Sequence, residues 1–133
     1  RLAERVAAGA GLPDGAVLAG RTTLGQLAAL VAEADLVVCG DTGMAHLATA
    51  YGTPSVVLFG PVAPRHWGPP PDRRQHVALW AGRTGDTFAD RPDPGLLRIT
   101  TGEVLAAGAT ARRRRRLLTA PAAAAARAAR GRG

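Results

Sequence analysis

The chain has 133 residues, 47% of them hydrophobic and only 4% aromatic, so it suits one domain with a core built mostly from Ala, Val and Leu. No apolar run approaches the roughly 18 to 20 residues that a membrane-spanning helix needs, and no signal peptide opens the chain, which argues against a secreted or membrane-embedded protein. The net charge of +7 is local: residues 111–133 carry eight arginines and no acid, whereas the preceding residues hold nine arginines against ten acids. The body therefore makes no general case for nucleic acid.

From the start, Arg1 stands where Met is usual, and Leu2 and Val6 fall on one helical face, so the expectation is a piece of a longer protein. The run Ala16-Val17-Leu18-Ala19, closed by Gly20, reads as a short strand. Leu24, Leu27, Ala28 and Val31 follow at the spacing of an amphipathic helix, with Thr23 and Gln26 placed as a capping box. Leu36-Val37-Val38-Cys39 is continuously apolar, as for a strand covered on both faces. The lone Cys39 is read there as a small buried hydrophobe, since one cysteine forms no internal disulfide.

Met44, Leu47, Ala48 and Tyr51 make the next helical stripe, ended by Gly52, and Ser55 to Phe59 is the clearest strand. Beyond Gly60 come a proline-rich loop to residue 74, one further short strand over His76 to Trp80, and an irregular stretch broken by Pro92 and Pro94. The loop reads as a rigid surface connection in which Trp67 covers apolar area. Thr100 and Glu103 then suit a capping box for a last helix. Strands alternating with helices of this length predict an α/β fold, an open parallel sheet of the Rossmann kind.

In such sheets ligands bind at the carboxyl ends of the strands, where helix N-termini point. Gly40-Asp41-Thr42-Gly43 sits at one of these junctions. Its glycines would allow a tight turn and close backbone approach, and the following helix offers free N–H groups and a positive dipole end to an anion. Asp41 would cap those groups or hold a ligand hydroxyl, and Thr42 adds a donor. His46, four residues after Thr42 and three after Gly43, projects on their side of the first turn, either toward a phosphate or sugar oxygen or as a surface histidine.

Asp41-Thr42-Gly43-Met44-Ala45-His46-Leu47-Ala48, followed by Tyr51-Gly52-Thr53-Pro54-Ser55-Val56-Val57-Leu58-Phe59-Gly60-Pro61, closely resembles the signature of family 9 glycosyltransferases, which include the heptosyltransferases of the lipopolysaccharide inner core. Gly20-Arg21-Thr22-Thr23-Leu24 resembles the stretch before that signature. The resemblance implies the C-terminal half of a GT-B fold, with residues 1–110 part of the donor-binding domain, while the low-complexity composition of residues 111–133 reads as a disordered or solvated helical tail. It implies that Asp41, Thr42, Gly43 and His46 contact the diphosphate and sugar of an ADP-heptose-like donor, and that Thr22 lies by the adenosine. Such enzymes are inverting and work without a cofactor or metal, in the cytoplasm or at the inner membrane face. The acceptor, a glycan or glycolipid, and the catalytic base belong to an N-terminal domain outside these residues, so no catalytic residue is assigned and this piece alone is expected to be inactive.

Other readings remain open. Another GT-B enzyme, such as a sugar-nucleotide epimerase, would share the same helix-terminus logic. Asp-Thr-Gly is also the aspartic-protease triplet, but that chemistry needs a β-rich fold and a second carboxylate. A non-catalytic fragment whose arginine run touches RNA or an anionic membrane is the third alternative; the plainer view is a solvated extension reflecting an Arg- and Ala-rich coding bias. No specific nucleic-acid partner is expected.

Overall fold

The structure, a computed structural model, describes residues 2–130, with side chains of Asp14 and of residues 120–130 outside the description. Residues 131–133, the end of the arginine-rich tail, lie outside the described residues. The chain divides into two compact units between Leu30 and Val31.

The first unit holds helix α1 (Leu2–Gly9), a 3-10 turn at Asp14–Ala16 and the start of α2 (Leu24–Glu33). The strand expected at Ala16 to Ala19 does not form. Val17 to Gly20 follow the 3-10 turn as irregular chain, and Gly20 adopts a left-handed φ of 72°. Four small apolar residues between two glycines provide neither the length nor the ladder partner that would hold an extended segment. The capping box at the head of α2 does form: the Thr23 N–H donates to Gln26 Oε1 at 2.9 Å, and the Gln26 N–H returns a bond to Thr23 Oγ1 at 3.2 Å.

The second unit is a Rossmann-like α/β layer. Strands β1 (Val37–Gly40), β2 (Ser55–Phe59) and β3 (His76–Trp80) form a parallel sheet in sequence order, with Val37 opposite Ser55 and Ser55 opposite His76. The third strand of the sheet is thus His76 to Trp80, and not the early run. Helix α3 (Gly43–Tyr51) joins β1 to β2 and packs on both; the long helix α5 (Thr101–Arg130) packs on β2 and β3. The two sides of the alternating strands need two covers, and β2 is buried on both: Val57 and Phe59 on one side, Val56 on the other.

Two small clusters make the core. Val31, Val37 and Ala48 pack together, and Ala45 joins Val57 and Phe59. The buried stripe of α3 is therefore Ala45 and Ala48, with Met44 and Leu47 half-buried and Tyr51 exposed. The expectation for Tyr51 fails for a steric reason: helix and sheet approach closely enough for alanine, and a phenol ring is turned outward to water. Thr53 fastens the same layer, its hydroxyl donating to the Val31 carbonyl at 2.8 Å in a buried setting. β1 is covered less than expected. Val38 is 50% exposed in this chain, because α5 packs over β2 and β3 and leaves that face of β1 with little cover.

Gly52 ends α3 in the left-handed region at φ 66°, with its N–H bonded to Thr49 O. At the head of α5 the predicted capping box is complete: Thr100 N–H donates to Glu103 Oε2 at 2.7 Å and Glu103 N–H to Thr100 Oγ1 at 3.2 Å. The Thr100 N–H bond holds the Glu103 carboxyl below its usual range. α5 then runs without a break across position 111, and Ala111 is fully buried.

Candidate functional site

Because all three strands are parallel, their carboxyl ends at Gly40, Phe59 and Trp80 share one edge. The loop leaving β1 at that edge is Gly40-Asp41-Thr42-Gly43, and Asp41, Thr42, Gly43 and His46 are all exposed there. Four of the five residues selected from the sequence therefore stand on one strand-to-helix turn. Thr22 belongs to the first unit, half-buried in the loop before α2.

The chemistry of the turn differs from expectation in two respects. Thr42, not Asp41, is the N-cap, and its side chain makes no capping bond; its hydroxyl instead faces Gly40 O at 3.4 Å. Thr42 O accepts from Ala45 N–H at 3.0 Å, which closes the first turn tightly. The Ala45 N–H is thus engaged within the turn, and the N–H groups of Gly43 and Met44 ahead of it have no side-chain cap and keep their donor capacity. Gly40 and Gly43 also do not adopt positive φ, so the turn itself does not require glycine. A Cβ added at Gly43 would meet nothing within 4 Å. The space in front of this backbone is open, and the fold does not need it empty.

Cys39 lies beneath the loop on β1, half-buried between the two core clusters. Burial, and then the charge of Asp41, pushes its thiol pKa up, so it stays protonated and unreactive at neutral pH. That fits a packing role, although the residue is less buried than its apolar run implied.

Two residues that the sequence reading passed over hold the rest of this edge. Trp80 Nε1 donates to Gly60 O at 3.2 Å and to Arg83 O at 3.0 Å, fastening the loop after β2 to the loop after β3. Asp93 accepts Leu96 N–H at 2.9 Å and sits among Gly60, Gly85 and Gly95; a Cβ at Gly85 would fall 2.9 Å from Asp93 Oδ2. The glycines at 60, 85 and 95 were the only sequence signal for this niche. Trp67, on the short helix α4 (Pro64–Trp67), is 64% exposed and does not cover apolar area as expected. Among the described residues, no group of three or more His, Cys, Asp or Glu is placed to hold a metal ion.

A parallel α/β layer with an uncapped helix terminus at its carboxyl edge defines the class of this domain as Rossmann-like. A model of glycosyltransferase family 9 (heptosyltransferase) matches residues 2–90, and the chain belongs to that family. It is 45% identical over 69 residues to lipopolysaccharide heptosyltransferase 1 of Pseudomonas aeruginosa, a match covering 50% of this chain and 19% of that protein. It is 35% identical over 92 residues to lipopolysaccharide heptosyltransferase 2 of Escherichia coli K12, covering 66% of this chain and 26% of that protein. Lipooligosaccharide heptosyltransferase 2 of Haemophilus influenzae is 35% identical over 65 residues, covering 49% of this chain and 19% of that protein. The chain thus spans about a quarter or less of the curated relatives it matches. No solved structure gives a significant match.

Proposed function

We propose that this chain is the donor-binding part of an inverting glycosyltransferase that takes an ADP-heptose-like nucleotide sugar and acts in lipopolysaccharide core synthesis. The relatives are named for heptosyl transfer to lipopolysaccharide or lipooligosaccharide, and that chemistry needs a cradle for a leaving nucleoside diphosphate. The observation that carries the reading is the uncapped N-terminus of α3, exposed at the carboxyl edge of the sheet.

In this reading the donor diphosphate lies against the N–H groups of the first turn of α3. Those dipoles are fixed before the reaction, so they stabilise the charge that grows on the diphosphate as the sugar departs, with little reorganisation. The Thr42 hydroxyl and the His46 ring supply further hydrogen bonds to phosphate or sugar oxygens, and Asp41 accepts from a sugar hydroxyl. The acceptor hydroxyl attacks from the face of the sugar opposite the diphosphate, with inversion, and a base on another part of the whole protein takes its proton. A second GT-B domain beside residues 1–110 would bring that base and the acceptor site.

The test is titration of the chain with ADP by calorimetry, with Gly43→Val in parallel. Saturable binding of ADP that the valine abolishes supports the reading. ADP binding that Gly43→Val leaves undiminished removes the α3 cradle from it.

A further inference from the structure

The arginine run at 112–116 does two different things. Five consecutive helical residues sweep more than a full turn, so they cannot share one face. Arg115 and Arg114 turn toward the sheet: Arg115 Nη1 donates to Gly52 O at 2.7 Å and Arg114 Nη1 to Arg74 O at 3.0 Å. These carbonyls lie where the chain enters β2 and β3, the end of the sheet opposite the candidate donor site. With that stretch of α5 fixed, Arg112, Arg113 and Arg116 remain exposed.

The exposed charge is accompanied by apolar surface. Leu117 is 67% exposed and Leu118 59%. Both line a groove of about 490 Å³ together with Arg74, Arg113, Arg114 and Asp72. Three cations to one acid, with two leucines one turn away, make an amphipathic edge and not a merely solvated one. An anionic bilayer surface complements both parts: phosphates for the guanidinium groups, and the headgroup–acyl boundary for the leucines. An RNA strand answers the charge alone, since α5 carries no aromatic side chain on which bases could stack. No helix among the described residues is long and apolar enough to cross a membrane, so the contact is peripheral.

We infer that the Arg112–Leu118 segment of α5 is a membrane-docking surface for anionic phospholipid, seated at the amino end of the sheet so that the carboxyl edge stays clear. The inference rests on α5 with Asp72 and Arg74 beside it and stands apart from the donor reading.

The experiment is co-sedimentation of the full chain with vesicles of phosphatidylcholine alone or with about a third phosphatidylglycerol, at two salt concentrations. Binding only to the anionic vesicles is expected, weakened about a hundredfold in Arg112→Ser/Arg113→Ser/Arg116→Ser, given that each surface cation contributes roughly a factor of five. Leu117→Ser/Leu118→Ser should weaken it about tenfold, with helix content unchanged by circular dichroism. A Leu118→Trp variant should shift its emission to the blue on anionic vesicles and not on neutral ones. Equal binding to both vesicle types, full binding by the leucine variant, no emission shift, or tighter binding to a single-stranded RNA than to the anionic vesicles overturns the proposal.

Discussion

Ser55 Oγ lies 2.8 Å from Nδ1 of His76, a buried bond between two residues that face each other across β2 and β3. His76 Nε2 and the neighbouring Gln75 Oε1 are buried without a protein partner. The Ser55 hydroxyl can donate to the ring or accept from it, so protonation of this imidazole is opposed by its buried setting and not by loss of the bond.

Burial, reinforced by the charges of Arg73 and Arg115, lowers the His76 pKa, so the folded chain favours the neutral ring. The unfolded chain then binds a proton more readily than the folded one. Stability is full above the ordinary histidine range near about 6.5 and falls as the pH drops through it toward the lower folded pKa. Urea midpoints measured from pH 7.5 to 5 should decline, and His76→Gln should flatten the decline. An unchanged slope in the variant would assign the acid sensitivity elsewhere.

At the carboxyl edge, Gly43→Val and His46→Ala should both leave the melting temperature within about a degree, because Gly43 faces open space and His46 is exposed. ADP affinity should be lost in the first and reduced about tenfold in the second, the size of one hydrogen bond to a charged group. A large drop in melting temperature with either variant would show that the turn is structural.

Gly52→Ala should destabilise the chain by about 1–3 kcal/mol, since φ is 66° and the new Cβ would stand 2.8 Å from Arg115 Nη1. Combining it with Arg115→Ala should relieve the steric part and leave the backbone strain. A double-mutant cycle in urea reads the difference; strict additivity would mean that the Arg115 contact is absent in solution.

Ala111→Leu tests whether the start of the arginine run is packed. Ala111 is fully buried, so the added carbons should cost about 1–3 kcal/mol of unfolding free energy by urea titration. A solvated helix would accept the leucine without loss.

The local signals were the easiest to read. Both capping boxes, at Thr23 with Gln26 and at Thr100 with Glu103, form as their spacing predicts, because each is closed by residues three apart. The turn from Asp41 to His46 was legible as an exposed strand-to-helix junction for the same reason. The Ala16 to Ala19 run was misread because a strand exists only if another pairs with it, which four residues cannot reveal. Trp80 and Asp93 were missed because both reach Gly60, which lies in the loop after β2 and is far from them along the chain.

By itself, the sequence determined the periodicities, the caps and the family signature, all set by residues a turn or a strand apart. Only the tertiary structure decided which covers exist: that alanines and not Tyr51 face the sheet, that β1 is an edge, and that two of five adjacent arginines are spent on carbonyls at Gly52 and Arg74. Burial and hydrogen-bond partnership depend on how closely distant segments approach, and no local pattern carries that distance.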